Sequence, residues 1–293
     1  MEIECLGGAG EVGRSGFLLR GNARVLVDYG IKIVGTAHYP KRIHEKLDGV
    51  VISHAHLDHS GFLPYIYEEQ SVQCFGTAPT EALCNLLIED SMKISKDTVP
   101  FGRNSFKRAL RSWFPVPYKR RLEMKNWALE MHDAGHIPGS AMALIEMNGK
   151  RICYSGDFKL QDTELHKGAE PPENVDVLMI ESTYANREHP DRKELEKKLK
   201  NEIWETLDDG GYVLFPCFAV GRSQEMVQLL NRFKIGEEIY LDGMAKAASD
   251  IILDFPSYVR DYDSLLRALK RVHWVRTPGM RKKVLSEPSV IVS

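Results

Sequence analysis

The chain lacks any pair of cysteines placed to share a disulfide bond or a metal ion. Its five cysteines are scattered and odd in number, and none belongs to a CxxC motif. This distribution argues against a disulfide framework and a thiolate zinc knuckle. We expect the cysteines to be small core residues in a reducing compartment.

Long apolar runs and an excess of one charge are also missing. No stretch reaches the roughly 18 apolar residues of a membrane span, and the N-terminus has no basic segment followed by an apolar one. The formal net charge is −2, so the overall balance indicates neither nucleic acid nor an anionic membrane as a partner. We expect a soluble, cytoplasmic protein with no membrane partner. A chain of 293 residues, 43% of them hydrophobic, can form one large domain or two.

The opening segment GAGEVG has the glycine spacing of a dinucleotide-binding loop, and Asp28 lies near the position of a ribose-binding acid. That motif requires a helix after the glycines. Here two apolar runs, residues 17–19 and 25–27, flank the turn dipeptide Gly21-Asn22, a pattern typical of a β-hairpin. The sequence therefore argues against a Rossmann site.

The most informative stretch is VVISHAHLDHSG at residues 50–61, where a short β-branched run is followed by three histidines and an aspartate. His54 and His56 are two apart, so in an extended backbone they project to the same side and can hold one ion. Asp58 and His59 then turn toward a second position. Imidazole and carboxylate ligands without thiolates favour a catalytic zinc site, and two ions about 3.5 to 4 Å apart would clamp the oxygens of an in-line displacement. A lone histidine is more often an ordinary polar residue, but a set of four indicates metal chemistry.

Beyond this cluster, short apolar strands alternate with helical patterns, which predicts an α/β fold. Thr80 is the predicted cap of a helix that runs to about residue 94. His136 and Asp157 each follow a predicted strand, as the first cluster does. A shift in composition from Tyr184 to Pro190 marks a candidate domain boundary.

Two segments are locally basic despite the balanced total. Between Phe101 and Asn126, eight basic residues accompany a single acid and are interleaved with aromatic residues, and from Arg267 to Lys283 seven basic residues occur without an acid. For the first segment, a solvated helix and loop is as good an interpretation as a phosphate-facing surface. We expect both segments to supply local affinity for phosphate groups.

Four motifs, HAHLDHSG, AGHIPGS, SGDF and ESTY, in this order and spacing, resemble those of the metallo-β-lactamase fold and specifically of its β-CASP nucleases of RNA and DNA. The resemblance runs from LGGAGEVGRSG to the last residue. ESTY together with FPCFAVGRSQE is most similar to the mRNA 3′-end-processing endonucleases of the cleavage and polyadenylation factor and their archaeal relatives. The resemblance implies an α/β fold with two domains. Residues 1–185 would form the αββα sandwich of the metallo-β-lactamase domain. Residues 186–293 would form an inserted β-CASP cap domain that is incomplete at the C-terminus.

The resemblance also implies two zinc ions and a role for each motif residue. The implied ligands are His54, His56 and His136 for the first zinc, Asp58 and His59 for the second, and Asp157 as a bridge between both. Asp28 would orient ligands without binding metal. The implied catalytic residues are Asp58, Asp157 and Glu181, of which Glu181 would support a histidine near the leaving group. Arg222 and Ser223 would lie beside the cleft and bind substrate, although an ordinary helix start is nearly as good an interpretation.

The implied function is that of a zinc-dependent phosphodiesterase cutting single-stranded RNA in 3′-end processing or decay, as a homodimer or within an RNA-processing complex. A second hypothesis is a non-catalytic scaffold subunit of such a complex, but relatives of that kind have damaged metal motifs and this one is intact. A third is a small-ester hydrolase of the same fold, which would lack the cap and the basic segments.

The final residues, EPSVIVS, have the pattern of a strand. In the family this strand continues into the rest of the cap and two further histidines, one a ligand of the second zinc and the other the partner of the acid at Glu181. We therefore expect a fragment in which the first zinc position is complete and the second zinc lacks one protein ligand and binds weakly. The leaving-group histidine is expected to be absent, which would make RNA cleavage slow or undetectable. His189 and His273 lie in no matching motif and are expected to be surface residues.

Overall fold

The computed structural model describes residues 1–95, 99–235 and 239–293. The chain forms two compact units: unit I comprises residues 1–161 and 168–181, and unit II comprises residues 162–167 and 182–293. The predicted domain boundary at residue 185 stays a prediction. Within the described ranges, no helix is both long and apolar enough to cross a membrane.

Unit I contains the elements up to residue 181. In chain order they are β1 Glu2–Gly7, β2 Gly16–Arg20, β3 Arg24–Tyr29, β4 Lys32–Val34, β5 Thr36–His38, β6 Gly49–Val51, α1 Leu57–Ser60, α2 Leu63–Glu69, β7 Cys74–Gly76, α3 Ala78–Ser95, α4 Arg103–Arg111, β8 Trp113–Pro115, β9 Leu122–Glu123, β10 Trp127–Asp133, β11 Ala141–Met147, β12 Lys150–Tyr154 and β13 Val177–Met179.

Two sheets of unit I share one core. The first has the order β1-β2-β3-β6-β7-β8 and the second the order β13-β12-β11-β10-β9, while β4 and β5 form a separate hairpin. Val27 and Val51 of the first sheet belong to the same buried cluster as Leu129 and Ile145 of the second. Burying both inner faces against each other removes the apolar residues from water, which stabilises a sandwich. The predicted α/β sandwich is confirmed.

The first hairpin confirms the argument against a dinucleotide site. β2 pairs antiparallel with β3, with Leu18 opposite Leu26 and Arg20 opposite Arg24, so a strand follows the glycines where the nucleotide motif needs a helix. From β3 onward the first sheet continues in parallel through β6, β7 and β8. The carboxyl ends of β3 and β6 therefore meet at one edge, and this edge carries Asp28 and the histidine cluster.

One helix boundary was predicted wrongly. The predicted cap Thr80 lies inside α3, which begins two residues earlier at Ala78. Thr77 precedes the helix, and its hydroxyl accepts a hydrogen bond from the Thr80 backbone N–H at 3.3 Å. A threonine in this position satisfies an N–H that has no partner within the helix.

The cysteines only partly match the expectation. All five are free thiols; Cys74, Cys84 and Cys153 are buried, whereas Cys5 is exposed and Cys217 is half-buried. Burial raises the pKa of the Cys84 thiol to about 12, so this residue stays a protonated apolar side chain.

Unit II is built around a parallel sheet with the order β14-β17-β15-β16. Its elements are α5 Arg192–Asp208, β14 Tyr212–Phe215, α6 Arg222–Phe233, β15 Ile239–Leu241, α7 Ala245–Leu253, a 3-10 turn Pro256–Tyr258, α8 Tyr262–Arg271, β16 His273–Trp274, α9 Pro278–Val284 and β17 Ser289–Val292. The strand predicted from EPSVIVS is confirmed as β17. It is fully buried and pairs with β14 on one side and β15 on the other.

The short segment 162–167 packs within unit II and contains a buried histidine. His166 is buried, and in the described part of the chain its Nε2 has no hydrogen-bond partner. Burial lowers the pKa of His166 to about 4, although the charge of the nearby Glu225 acts in the opposite direction. In the unfolded chain this histidine has a pKa near 6.5. Between pH 6.5 and pH 4 it therefore binds a proton in the unfolded chain but not in the folded chain.

We expect the free energy of unfolding to fall by about 3 kcal/mol between pH 6.5 and pH 4 because of His166 alone. Other groups titrate in this range, so the measurement is the difference between wild type and His166→Gln in urea unfolding at pH 7 and pH 4.5. The variant should lose less stability on acidification. His189→Gln, at an exposed position, serves as the control. Equal acid sensitivity of wild type and His166→Gln would contradict the prediction.

Candidate metal centre

Four of the predicted ligands form one cluster. Single ligand atoms of His54, His56, His136 and Asp157 all lie within 4.8 Å of one another. His54 and His56 follow β6, His136 lies in the loop between β10 and β11, and Asp157 lies just beyond β12. The cluster therefore draws on both sheets of the sandwich, and three imidazoles with one carboxylate form a donor set suited to zinc.

A second cluster shares one residue with the first. Ligand atoms of His54, Asp58 and His59 also lie within 4.8 Å of one another. Asp58 and His59 belong to α1, the four-residue helix that directly follows His56. The structure thus groups His54 with both sets, whereas the family resemblance assigned it to the first ion alone.

Close backbone contact fixes the position of α1. Gly30 follows β3, and a Cβ atom at this residue would lie 1.7 Å from the carbonyl oxygen of Asp58. The Ile31 N–H donates to the Leu57 carbonyl at 2.8 Å, and the Ser15 N–H donates to the Asp58 carbonyl at 2.8 Å. Only glycine permits this close approach of the two backbones, so the segment that carries Asp58 and His59 is held against the end of β3.

Asp157 presents its two carboxylate oxygens to different histidines. Oδ1 lies 3.4 Å from Nε2 of His59. Oδ2 lies 3.6 Å from Nε2 of His136 and 4.0 Å from Nε2 of His54. A carboxylate between two groups of imidazoles can give one oxygen to each of two ions, which is the geometry that a bridging ligand needs.

Asp28 lies beneath the clusters and accepts four hydrogen bonds. Oδ1 accepts from the Ser53 backbone N–H at 2.7 Å, and Oδ2 accepts from the Ser53 hydroxyl at 2.7 Å. Oδ2 also lies 2.7 Å from Nδ1 of His59 and accepts from the Tyr154 hydroxyl at 2.8 Å. The residue is fully buried and has a φ of 54°, a conformation that Asp tolerates better than most residues. Asp28 therefore contacts His59 directly, and its predicted role of orienting ligands stays a prediction.

These hydrogen bonds determine which histidine nitrogens face the clusters. Because Nδ1 of His59 lies against a carboxylate, this nitrogen carries the proton and Nε2 faces Asp157. The Ser53 hydroxyl gives its hydrogen to Asp28, so it accepts from Nδ1 of His54 at 3.0 Å. Nε2 of His54 then has a lone pair, is buried, and has no hydrogen-bond partner among the described residues. A buried acceptor of this kind costs free energy unless an ion or a donor reaches it, so the site fits a metal.

The charges in the cluster influence one another strongly. Burial lowers the pKa of His54 well below its usual range, and the neighbouring histidines lower it further, so this ring is neutral. Burial alone would also lower the pKa of His59, but Asp28 and Asp157 outweigh burial and raise it well above its usual range. Burial raises the pKa of Asp157, whereas His59 and the other imidazoles lower it to about 2. Metal binding at Nε2 of His59 would displace a proton held by these carboxylates.

The structure also places the remaining predicted residues. Glu181 follows β13 in unit I, and its backbone N–H donates to the Ser155 hydroxyl at 3.2 Å, close in sequence to Asp157. In unit II, Arg222 is exposed at the start of α6. Ser223 is fully buried, and its hydroxyl donates to the Phe218 carbonyl at 2.8 Å. The predicted roles of these three residues stay predictions, and the local bond of Ser223 matches the interpretation as a helix start.

Two residues of this site were missed in the sequence. Ser53 directly precedes His54 in the sequence, so this position next to the histidine cluster could have identified it as part of the site. Tyr154 is separated from Asp28 by 126 positions, and only the packing of the second sheet against the first brings the two together. Burial and the charge of Asp28 raise the pKa of Tyr154 well above its usual range, so its hydroxyl remains a donor.

Comparisons with known proteins agree with this architecture. Residues 23–208 match the family model described as the Beta-lactamase superfamily domain. The chain is 38% identical to Probable RNase MJ4 of Methanocaldococcus jannaschii, covering 99% of this chain and 70% of that protein. It is 31% identical to RNase aCSPSF2 of Saccharolobus solfataricus, covering 99% of this chain and 61% of that protein. A crystal structure of a protein of unknown function from Enterococcus faecalis V583 matches with a TM-score of 0.60 and 14% identity, over 99% of this chain and 76% of that one, and shows the fold alone.

The sandwich fold and the His/Asp clusters define a metallo-hydrolase architecture. The chain belongs to the metallo-β-lactamase superfamily. Within that superfamily its relatives are the β-CASP ribonucleases, among them the two archaeal proteins above. The chain spans 61% to 70% of the length of those two relatives.

Proposed function

We propose that this chain is a zinc-dependent phosphodiesterase acting on single-stranded RNA, in 3′-end processing or decay. The observation that carries the proposal is the placement of Asp157, whose two oxygens face two different groups of imidazoles. Intact metal motifs and relatives named as RNases support a nuclease over a scaffold subunit. A cytoplasmic location and assembly into a homodimer or an RNA-processing complex belong to the same proposal.

We assign the residues of unit I different roles at this metal centre. His54, His56 and His136 would hold one ion, Asp58 and His59 the second, and Asp157 both. Two bound zinc ions would supply Lewis acidity and water of lowered pKa. Asp28 keeps the proton of His59 on Nδ1, which leaves Nε2 directed at the centre. Glu181, next to the Asp157 loop, is proposed to take part in proton transfer to the leaving group.

The described residues also suggest how the two ions differ in affinity. The first cluster offers His54, His56, His136 and Asp157, whereas the second has only Asp58 and His59 of its own and shares His54 and the Asp157 carboxylate with the first. Fewer protein ligands give weaker binding. We therefore propose one tight and one weak zinc in this 293-residue chain.

Metal analysis combined with substrate comparison tests the proposal. The purified chain should contain zinc and should hydrolyse labelled single-stranded RNA, at a slow rate, in preference to a lactone or a thioester. Bound zinc with ester hydrolysis and no RNA cleavage would instead indicate a small-ester hydrolase. Absence of both zinc and RNA cleavage would indicate a scaffold.

Exposed basic residues in both units provide candidate phosphate contacts. Arg103 and Lys107 lie on the exposed side of α4, and Lys282 and Lys283 on that of α9. Other members of the two segments are already paired: Arg281 donates two hydrogen bonds to Asp242, at 2.6 and 2.9 Å. Arg222 is a further candidate because its side chain is exposed, whereas Ser223 is buried.

We expect affinity for single-stranded RNA to fall steeply with salt. Each phosphate contact contributes about 0.7 to the slope of log affinity against log salt, so Lys282→Gln with Lys283→Gln should reduce the slope by about 1.4. Arg121→Gln is the matched control, because Arg121 is already paired with Glu123 and Glu146. Affinity that does not change with ionic strength would show that these residues are only a solvated surface.

A further inference from the structure

Tyr154 joins the second sheet to the residues beneath the metal centre. It is the last residue of β12, its side chain belongs to the core between the sheets, and its ring centroid lies 5.3 Å from that of Phe17. Its hydroxyl donates to Oδ2 of Asp28 at 2.8 Å. Three residues after it comes Asp157, so the same strand delivers both the proposed bridging ligand and this tyrosine.

The hydroxyl of Tyr154 meets the same oxygen that holds His59. Oδ2 of Asp28 contacts the Ser53 hydroxyl, Nδ1 of His59 and the Tyr154 hydroxyl, all at 2.7 to 2.8 Å. Ser53 and His59 belong to the segment that follows β6 in the first sheet, whereas Tyr154 approaches from the second. Tyr154 is therefore the donor that ties the carboxylate to the opposite side of the sandwich.

We propose that Tyr154 is a positioning residue that, by fixing Asp28 from the second sheet, holds the His59 imidazole in the orientation that the second metal ion needs. The proposal rests on the metal centre proposed above. It concerns the cluster of His54, Asp58 and His59 more than the first cluster, because His59 lies in direct hydrogen-bond contact with Asp28.

Loss of the hydroxyl would act on His59 through Asp28. A buried carboxylate oxygen that loses one of three donors is left less satisfied and free to rotate. Its bond to Nδ1 of His59 would then hold the ring less firmly, and Nε2 would be less well aligned with Asp58 and Asp157. Replacing a partner of this kind typically weakens metal affinity about 10- to 100-fold.

The test compares Tyr154→Phe with Tyr67→Phe in the full chain. Tyr67 is likewise a buried tyrosine, and its hydroxyl donates to the Val72 carbonyl at 3.0 Å. Each protein is titrated with Zn²⁺ and with Co²⁺, and the visible absorption of Co²⁺ reports the coordination of each ion. Urea unfolding of the metal-free proteins measures the structural cost of each substitution separately.

In Tyr154→Phe we expect the dissociation constant of the weaker ion to rise about 10- to 100-fold and its Co²⁺ spectrum to change, with a smaller effect on the tighter ion. Tyr67→Phe should leave both constants and both spectra as in wild type. Wild-type metal binding in Tyr154→Phe, whatever its unfolding midpoint, would overturn the inference and leave the proposed metal centre standing. Absence of metal binding by the wild-type chain would overturn both.

Discussion

Asp157→Ala is expected to abolish the second metal ion and to lower RNA cleavage by about 10²-fold or more. Oδ1 of Asp157 lies 3.4 Å from Nε2 of His59, and Oδ2 lies 3.6 Å from Nε2 of His136. Its removal takes one ligand from each of the two proposed ions and leaves several imidazoles without a counter-charge. Deleting a single group that stabilises the reacting charge commonly costs about 10²- to 10³-fold in rate, and a shared ligand should cost at least as much.

The measurements are zinc content by elemental analysis and initial rates on labelled RNA under saturating zinc. Asp162→Ala provides the control, because Asp162 is exposed and its ion pair with Arg260 is long, at 3.5 Å. That variant should keep wild-type metal content and rate. Full metal content and full activity in Asp157→Ala would refute the assignment of this residue.

Asp28→Ala is expected to destabilise unit I by roughly 5 kcal/mol, because it leaves the buried donors of Ser53, Tyr154 and His59 without an acceptor. Alanine also tolerates the φ of 54° poorly. A loss of this size is a large part of the stability of an ordinary domain. Unfolding by urea in the presence of a chelator measures it without a contribution from metal.

Asp28→Asn separates the two roles of this carboxylate. Asparagine tolerates a positive φ and keeps the volume, so less stability should be lost than in Asp28→Ala. Its amide group offers one acceptor oxygen where the carboxylate offers two, so His59 should lose its orientation and zinc content should fall. Asp48→Ala is the control at the surface, where Asp48 accepts one hydrogen bond from the Arg24 N–H at 2.7 Å. If Asp28→Ala unfolded at the wild-type urea concentration, the network around Asp28 would not be a source of stability.

Much of the candidate site could be predicted because its ligands are concentrated in the chain. His54, His56, Asp58 and His59 lie within six positions, so the order of residues alone brings them together. The hairpin of β2 and β3 was predictable for a similar reason, since a turn dipeptide between two apolar runs acts locally. The buried strand β17 was predictable from its β-branched residues.

The start of α3 and the burial of each cysteine were harder to predict from the sequence. Thr77 and Thr80 are both good capping residues, and the choice between them depends on where β7 ends. Cys5 and Cys84 are the same residue type, but the surrounding elements leave one exposed and bury the other. Such outcomes depend on packing against elements that are distant in sequence.

The sequence by itself determined which residue types form the candidate metal centre, and the alternation of strands and helices. Only the tertiary structure decided that His136 meets His56 across 80 positions, that Asp157 turns one oxygen toward each group of histidines, and that Tyr154 closes on Asp28. The physical reason is that composition and spacing act over one turn or one strand. The orientation of a carboxylate is set by donors that arrive from both sheets once the apolar faces between them are buried.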